Sequence, residues 1–363
     1  MSGIRFHWRL FHGGDLSEDT RGGGWELAPT GLPDLERQVE FCRAAELSGI
    51  DSLLTDFGFA KPDSILLSAA LGQRTERTKF IIAYRSGLIC PTSFVQQLNT
   101  LSTLINGRFS LNIVAGHSPA EQRGYGDYLP REERYARTEE FLAVCHAFWR
   151  GDDPVTFDGR YYKVEGARLN TPFVSPSETF PELFIAGGSQ EAHDLAISQG
   201  SCWMVLAEPP DQLAPRASGV LRHGRTVGIR CAVIVRPTRE EAIEAAYDRV
   251  AGRDTDRERE QTFVRGSDSV SINNLYRLAK TEWLTPYLWA GAVRTHGPAA
   301  VALVGSPDDI AAALLDYKRA GVTQFILSSW PKLEQMVYFG EEVIPRVRER
   351  EASVPLPIPA GSG

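Results

Sequence analysis

The run PELFIAGGSQEAHDLA (181–196) passes from apolar residues through Gly187 and Gly188 to Ser189, and then into a segment with helical spacing of its apolar positions. Glycines let a backbone approach a ligand closely, and the free N–H groups of a helix start, with a serine hydroxyl, suit a phosphate. Taken alone, Ser189 serves equally well as an ordinary helix N-cap. Metal chemistry has no comparable foothold. The five cysteines, Cys42, Cys90, Cys145, Cys202 and Cys231, are odd in number, far apart and free of C-x-x-C spacing, so buried thiols are expected rather than disulfides or a zinc site.

A phosphate-holding turn needs a strand before it and a helix after it, and the chain repeats that pair. Apolar, β-rich runs occur at 4–11, 51–57, 79–87, 109–116, 182–188, 202–207, 227–235 and 323–329. Between them lie segments such as DLERQVEFCRAAELSG and SPDDIAAALLDYKRAG, with apolar residues three and four apart. Eightfold alternation predicts an α/β protein, a (β/α)8 barrel of the TIM type, with a doubly wound open sheet as the alternative. Ligands of such barrels sit where strands end and the following loops begin, which is where Gly187 to Ser189 fall.

The expected organisation is a single barrel over 1–350 and a C-terminal tail over 351–363, with two interruptions. Residues 154–172 alternate around Asp158-Gly159 and predict a β-hairpin. Residues 251–298 open with the charge-dense GRDTDRERE and are too long for an ordinary barrel connection. A lid over the barrel mouth and a surface excursion are the two readings of that insertion, since long insertions cost little loop entropy.

Composition narrows the partner. With 42% hydrophobic and 23% charged residues, a net charge of −7 and scattered Lys and Arg, the chain reads as globular and without the basic field of a nucleic-acid binder. A small molecule is the expected partner. No run reaches the ~18 apolar residues of a membrane span and no leader pattern is present, so a cytoplasmic location is expected.

A longer pattern adds to this. FHGGD (11–15), SLNIVAG (110–116), ERYARTEEF (133–141), FDGRYYKVEGARL (157–169), PELFIAGGSQEAHDLA (181–196), AEPPDQL (207–213), GIRCAVIVRPTREEA (228–242), LWAGAVR (288–294) and ALVGSPDDIAAAL (302–314) occur in that order. Together, over residues 4 to 348, they resemble the bacterial luciferase-like flavin monooxygenases, most closely the alkanesulfonate monooxygenase branch. The resemblance implies a luciferase-like (β/α)8 enzyme that takes reduced FMN (FMNH2) from a separate NAD(P)H:flavin reductase. It would trap O2 at the flavin C4a position and pass one oxygen atom to an organic substrate, the cofactor carrying most of the chemistry. A homo-oligomer, dimer or tetramer, is implied as well.

Carried over by position, Gly187, Gly188 and Ser189 would hold the FMN phosphate, Tyr135 would hydrogen-bond it, and Asn112 would meet the flavin ring. Their ordinary roles are a cap, a buried aromatic and a core amide. His12 and Arg230 match catalytic positions of the branch, and Arg294 matches an arginine of its lid region. Elsewhere the chain departs: Ala232 stands at a histidine position on the strand face of Arg230, Trp330 at a tyrosine position, and Lys61 at a cysteine position. With Phe11 and Trp8 adding flat apolar surface, these departures imply a substrate larger than a simple alkanesulfonate, still able to carry an acidic group, in a pocket formed by Phe11, Lys61, Ala232 and Trp330. Other readings stay open residue by residue: a hydrogen-bonded strand-end histidine for His12, a barrel-mouth salt bridge for Arg230, a solvated Lys61 and a core Trp330. Alkanesulfonate desulfonation, F420-dependent hydride transfer on the same fold, and non-catalytic flavin binding are the alternative functions.

Overall fold

The structure, a computed structural model, describes residues 3–11, 34–59, 61–252, 264, 266–330 and 332–357. Each of the eight expected runs forms a strand: β1 (Arg5–Arg9), β2 (Ser52–Thr55), β3 (Phe80–Tyr84), β4 (Phe109–Val114), β7 (Leu183–Ala186), β8 (Cys202–Leu206), β9 (Thr226–Val235) and β12 (Val322–Ser328). Neighbours pair in parallel in that order, and β12 returns to β1, so the sheet closes into a (β/α)8 barrel. All residues of β2 and β3 are buried, as expected for strands covered by helices outside and by packed side chains within.

The period-2 alternation of β1 sets its two faces. Phe6 and Trp8 join the layer between barrel and helices, where Phe339 packs on both rings, while His7 and Arg9 point to the barrel axis. Trp8 is therefore fully buried behind the barrel wall and adds nothing to a ligand pocket, contrary to the expectation from sequence. Inside the barrel, His7 bridges Ser52 (2.6 Å) and Gln324 (2.8 Å). An apolar plug of Leu54, Ile81, Ala83, Phe184, Cys202, Met204 and Ile326 also fills it.

The hairpin forms from β5 (Val155–Asp158) and β6 (Lys163–Ala167), antiparallel, and Glu140 accepts the N–H groups of Arg160, Tyr161 and Tyr162 at its turn. Two strands were not foreseen: β10 (Leu288–Trp289) and β11 (Ala302–Gly305). β11 runs parallel to the last residues of β9, on the edge that β8 leaves. Arg230 O accepts from Ala207 N, and two residues on, Ala232 N donates to Val301 O. Within the insertion, the helix Val270–Leu278 buries Ile272, Leu275 and Tyr276 in the main core, so its described part is docked. Residues 253–263 and 265 of the insertion, and 358–363 of the tail, lie outside the described residues.

Candidate active site

At the C-terminal ends of the barrel strands lies a cavity of 640 Å³ whose floor includes Ala83, Met204 and Ile326 of the apolar plug. One wall is the turn after β7. Ser189 caps the helix Gln190–Ser198, its hydroxyl accepting from Ala192 N at 3.3 Å, and Gly187 and Gly188 precede it on the cavity wall. A Cβ on Gly187 would come within 2.6 Å of the Tyr135 hydroxyl, and one on Gly188 would collide with the Ser271 hydroxyl. Gly187 is required both by its φ of +148° and by the closeness of Tyr135 and the Ala192 Cβ, while at Gly188 the Ser271 hydroxyl would have to turn aside. The Tyr135 hydroxyl lies beside Ser189; burial raises its pKa, with Ser189 opposing.

Asn112 projects from β4 into the same space. It is 6% exposed, and its side-chain carbonyl oxygen has no hydrogen-bond partner among the described residues. A buried amide oxygen left so is costly, and it faces the cavity as an acceptor for a ligand or solvent donor.

The opposite wall is cationic and aromatic. Asp56, just beyond β2, pairs with Arg9 Nε at 2.5 Å and with Arg230 Nη2 at 3.4 Å, so two guanidiniums from β1 and β9 converge on one carboxylate. Burial works against the charge of Arg230 and Asp56 supports it. Arg85 holds Glu121 (2.5 Å) and Gln122 (2.9 Å) and lies over Phe57 at 5.2 Å. His117, next to this group, has its pKa lowered by burial and by Arg85, which favours the neutral imidazole. Trp330 carries the Arg249 guanidinium over its ring at 4.9 Å, and Phe11 and Lys61 complete this side.

The cavity therefore brings together Phe11, Lys61, Asn112, Tyr135, Gly187, Gly188, Ser189, Arg230 and Trp330. Among the described residues, Ala232 and Arg294 of the sequence reading, like Trp8, do not line it. Ala232 is fully buried in a cluster with Trp289, Ala300 and Ala302, and Ala300 is the member of that cluster that faces the cavity. The room left by a small residue at 232 is thus filled by the insertion and β11, and the expected widening of the pocket at this position is not found. Arg294 sits in the short helix Val293–His296, off the cavity wall, while His296 of the same helix lies on it. His12 lies outside the described residues.

Sequence reasoning missed Arg9, Asp56, Arg85, His117, Arg131, Arg249 and Ser271 on the wall. Two had a readable signal: Arg9 shares a strand face with His7, and Arg131 precedes Tyr135 by one helical turn. The others arrive from loops or from the far end of a helix, with no local pattern to mark them.

The chain matches the family model of luciferase-like monooxygenases over residues 5–324. Among solved structures, the EDTA monooxygenase from Chelativorans sp. BNC1 is similar, with 20% identity, a TM-score of 0.76, and coverage of 97% of this chain and 95% of that one. A long-chain alkane monooxygenase shows 19% identity and a TM-score of 0.74, covering 100% and 94% of the two chains. An F420-dependent secondary alcohol dehydrogenase in complex with an F420-acetone adduct shows 20% identity and a TM-score of 0.65, covering 95% and 99%.

Proposed function

Since this chain belongs to the luciferase-like monooxygenase family, the flavin-dependent monooxygenases, we propose that it takes reduced FMN from a separate NAD(P)H:flavin reductase and inserts one oxygen atom of O2 into an organic acid larger than a simple alkanesulfonate. The observation that carries this reading is the continuity of the cavity: a glycine turn at a helix start on one wall and a cationic, aromatic wall share one space of 640 Å³.

The residues present fit FMN. The turn at Gly187 leaves no room for a side chain, Gly188 packs closely on Ser271, and Asn112 offers a buried acceptor in want of a donor. Ser189 and the N–H groups of its helix would hold the phosphate, Tyr135 would flank it, and Asn112 would orient the ring. Bound reduced FMN supplies the electrons and the site of oxygen activation. The protein's own part is positioning and exclusion of water. Ala83, Met204 and Ile326 present an apolar floor, so polar groups on the walls would act in a medium of lowered dielectric. Arg9 and Arg230, held at a fixed separation by Asp56, would orient an acidic group of the substrate, while Trp330 and Phe11 would cover its apolar body. Lys61 adds a cation on that side. His12 is proposed as a catalytic residue following Phe11. Arg294 is proposed as a further cation toward the substrate, on the helix whose His296 lines the cavity.

The test supplies reduced FMN through a flavin reductase and NAD(P)H, and offers a short-chain alkanesulfonate series beside long-chain and polycyclic aromatic acids. Mass gain of one oxygen is read for the large acids and sulfite release for the sulfonates. Oxygen uptake by the large acids, with sulfite release roughly tenfold slower or absent, is expected, because a small sulfonate leaves the aromatic wall unfilled at about 2.5 kcal/mol per 100 Å² of unburied apolar surface. Efficient release of sulfite from short chains would return the chain to ordinary desulfonation.

A further inference from the structure

The cradle built from Gly187, Gly188, Ser189 and Tyr135 offers hydroxyl and N–H donors but no cation, whereas a phosphate monoester carries close to two negative charges at neutral pH. The first turns of the helix Arg131–Arg150 carry three arginines. Arg134 is committed to the carbonyls of Ala115 (2.8 Å) and Leu129 (2.9 Å) and to Asp268 (2.6 Å). Arg137 is committed to Asp127 (2.6 Å) and the carbonyl of Ser86 (3.2 Å).

Arg131 is placed differently. It stands four residues before Tyr135, which puts the two side chains on one helix face, and both line the cavity. Its Nη2 reaches Glu191 at 3.2 Å, in the first turn of the very helix that Ser189 caps, and its Nε and Nη2 donate to Glu132 at 3.2 and 2.9 Å, which leaves Nη1 for the cavity. Arg216 approaches the carbonyl of Gly188 from behind at 3.5 Å, but it is ion-paired with Glu208, lies over Trp203, and does not line this cavity.

Resting on the reading of the site as one for reduced FMN, we infer that Arg131 is the counter-ion of the flavin phosphate. Glu191 holds its guanidinium at the edge of the cradle, and the remaining donors of the fork are directed at phosphate oxygens. The Arg131–Glu191 bridge then joins the starts of two helices across the phosphate, so that charge recognition comes from the helix Arg131–Arg150 and close approach from the glycine turn.

Anaerobic titration with dithionite-reduced FMN and dithionite-reduced riboflavin separates charge recognition from ring binding. For Arg131→Gln, FMN affinity is expected to fall roughly tenfold or more, with riboflavin affinity unchanged; retained riboflavin binding also reports that the variant is folded. Arg131→Lys keeps the charge and should keep a larger part of the FMN preference. Added KCl should weaken FMN binding to the wild type more steeply than to Arg131→Gln. A wild-type preference for FMN that survives intact in Arg131→Gln would overturn the inference while leaving the flavin site standing. Equal affinity of the wild type for both flavins would remove the phosphate site itself, and the inference with it.

Discussion

At His7 the consequences of a single buried side chain can be followed to a measurement. Nothing local distinguishes it from the other six histidines of the chain, yet the barrel encloses it between Ser52 and Gln324 with Phe184 against its ring. Burial lowers its pKa from 6.5 to about 4, with the Gln324 hydrogen bond opposing. A histidine with a depressed folded pKa contributes stability that is complete above pH 6.5 and is lost as pH falls toward 4. That loss amounts to roughly 3 kcal/mol at the acid end. Denaturant titrations at pH 7 and pH 4.5 should show a smaller acid loss for His7→Gln than for the wild type; equal losses would show that His7 titrates freely. The same scale marks how far the site could be read from the chain. The place of Gly187, Gly188 and Ser189 on the cavity wall was legible because a strand-to-helix turn has few chemical solutions, and that of Asn112 and Tyr135 because they lie in ordered motifs. Asp56 was not, since its meaning depends on Arg9 and Arg230 arriving from strands 47 and 174 residues away in sequence.

Among the elements, the insertion changed most between expectation and observation. Its polar opening suggested a stretch lying on the surface or moving over the mouth, but the helix Val270–Leu278 places Ile272, Leu275 and Tyr276 in the core and Ser271 against the Gly188 turn. A latch precedes the helix. Asp268 donates its N–H to the carbonyl of His117 at 3.0 Å and accepts from Arg134 at 2.6 Å, and Arg134 is only 2% exposed. Losing one partner of a buried charge costs more than the pair contributes, so Asp268→Ala should destabilise this junction by about 1–3 kcal/mol. Hydrogen exchange should be slow over 270–278 in the wild type and faster there in Asp268→Ala, with the hairpin 155–167 unchanged. Rapid exchange over 270–278 in the free wild-type protein would show instead that the helix opens as a lid. The apolar spacing of SINNLY was present in the sequence, but it sits between polar flanks, and a nine-residue helix shows its burial only through what it packs against.

For the whole molecule, the proposed function carries two further expectations. Turnover should depend on reduced flavin delivered by a separate reductase, and sedimentation equilibrium should give a mass of two or four 40.1 kDa chains. A monomer at micromolar concentration would exclude the oligomer. The barrel itself was legible from the chain, because parallel strands buried on both faces leave continuous apolar runs and the helices between them leave a three-to-four period, both local in sequence. Closure at β12–β1 completes what eight such units imply. β11 escaped notice because ALVG is short and becomes a strand only by taking the edge of β9 that β8 leaves free. The cavity's chemistry belongs to that second kind of information. Ala232 is covered because Trp289 and Ala300 fold over it, Trp8 is turned outward by the pleat of β1, and two arginines from strands far apart in the chain share one carboxylate. Residue type and period act over a few neighbours and so can be read along the chain. Which charges meet, and which spaces close, depends on packing between segments hundreds of residues apart, and only the closed barrel sets those distances.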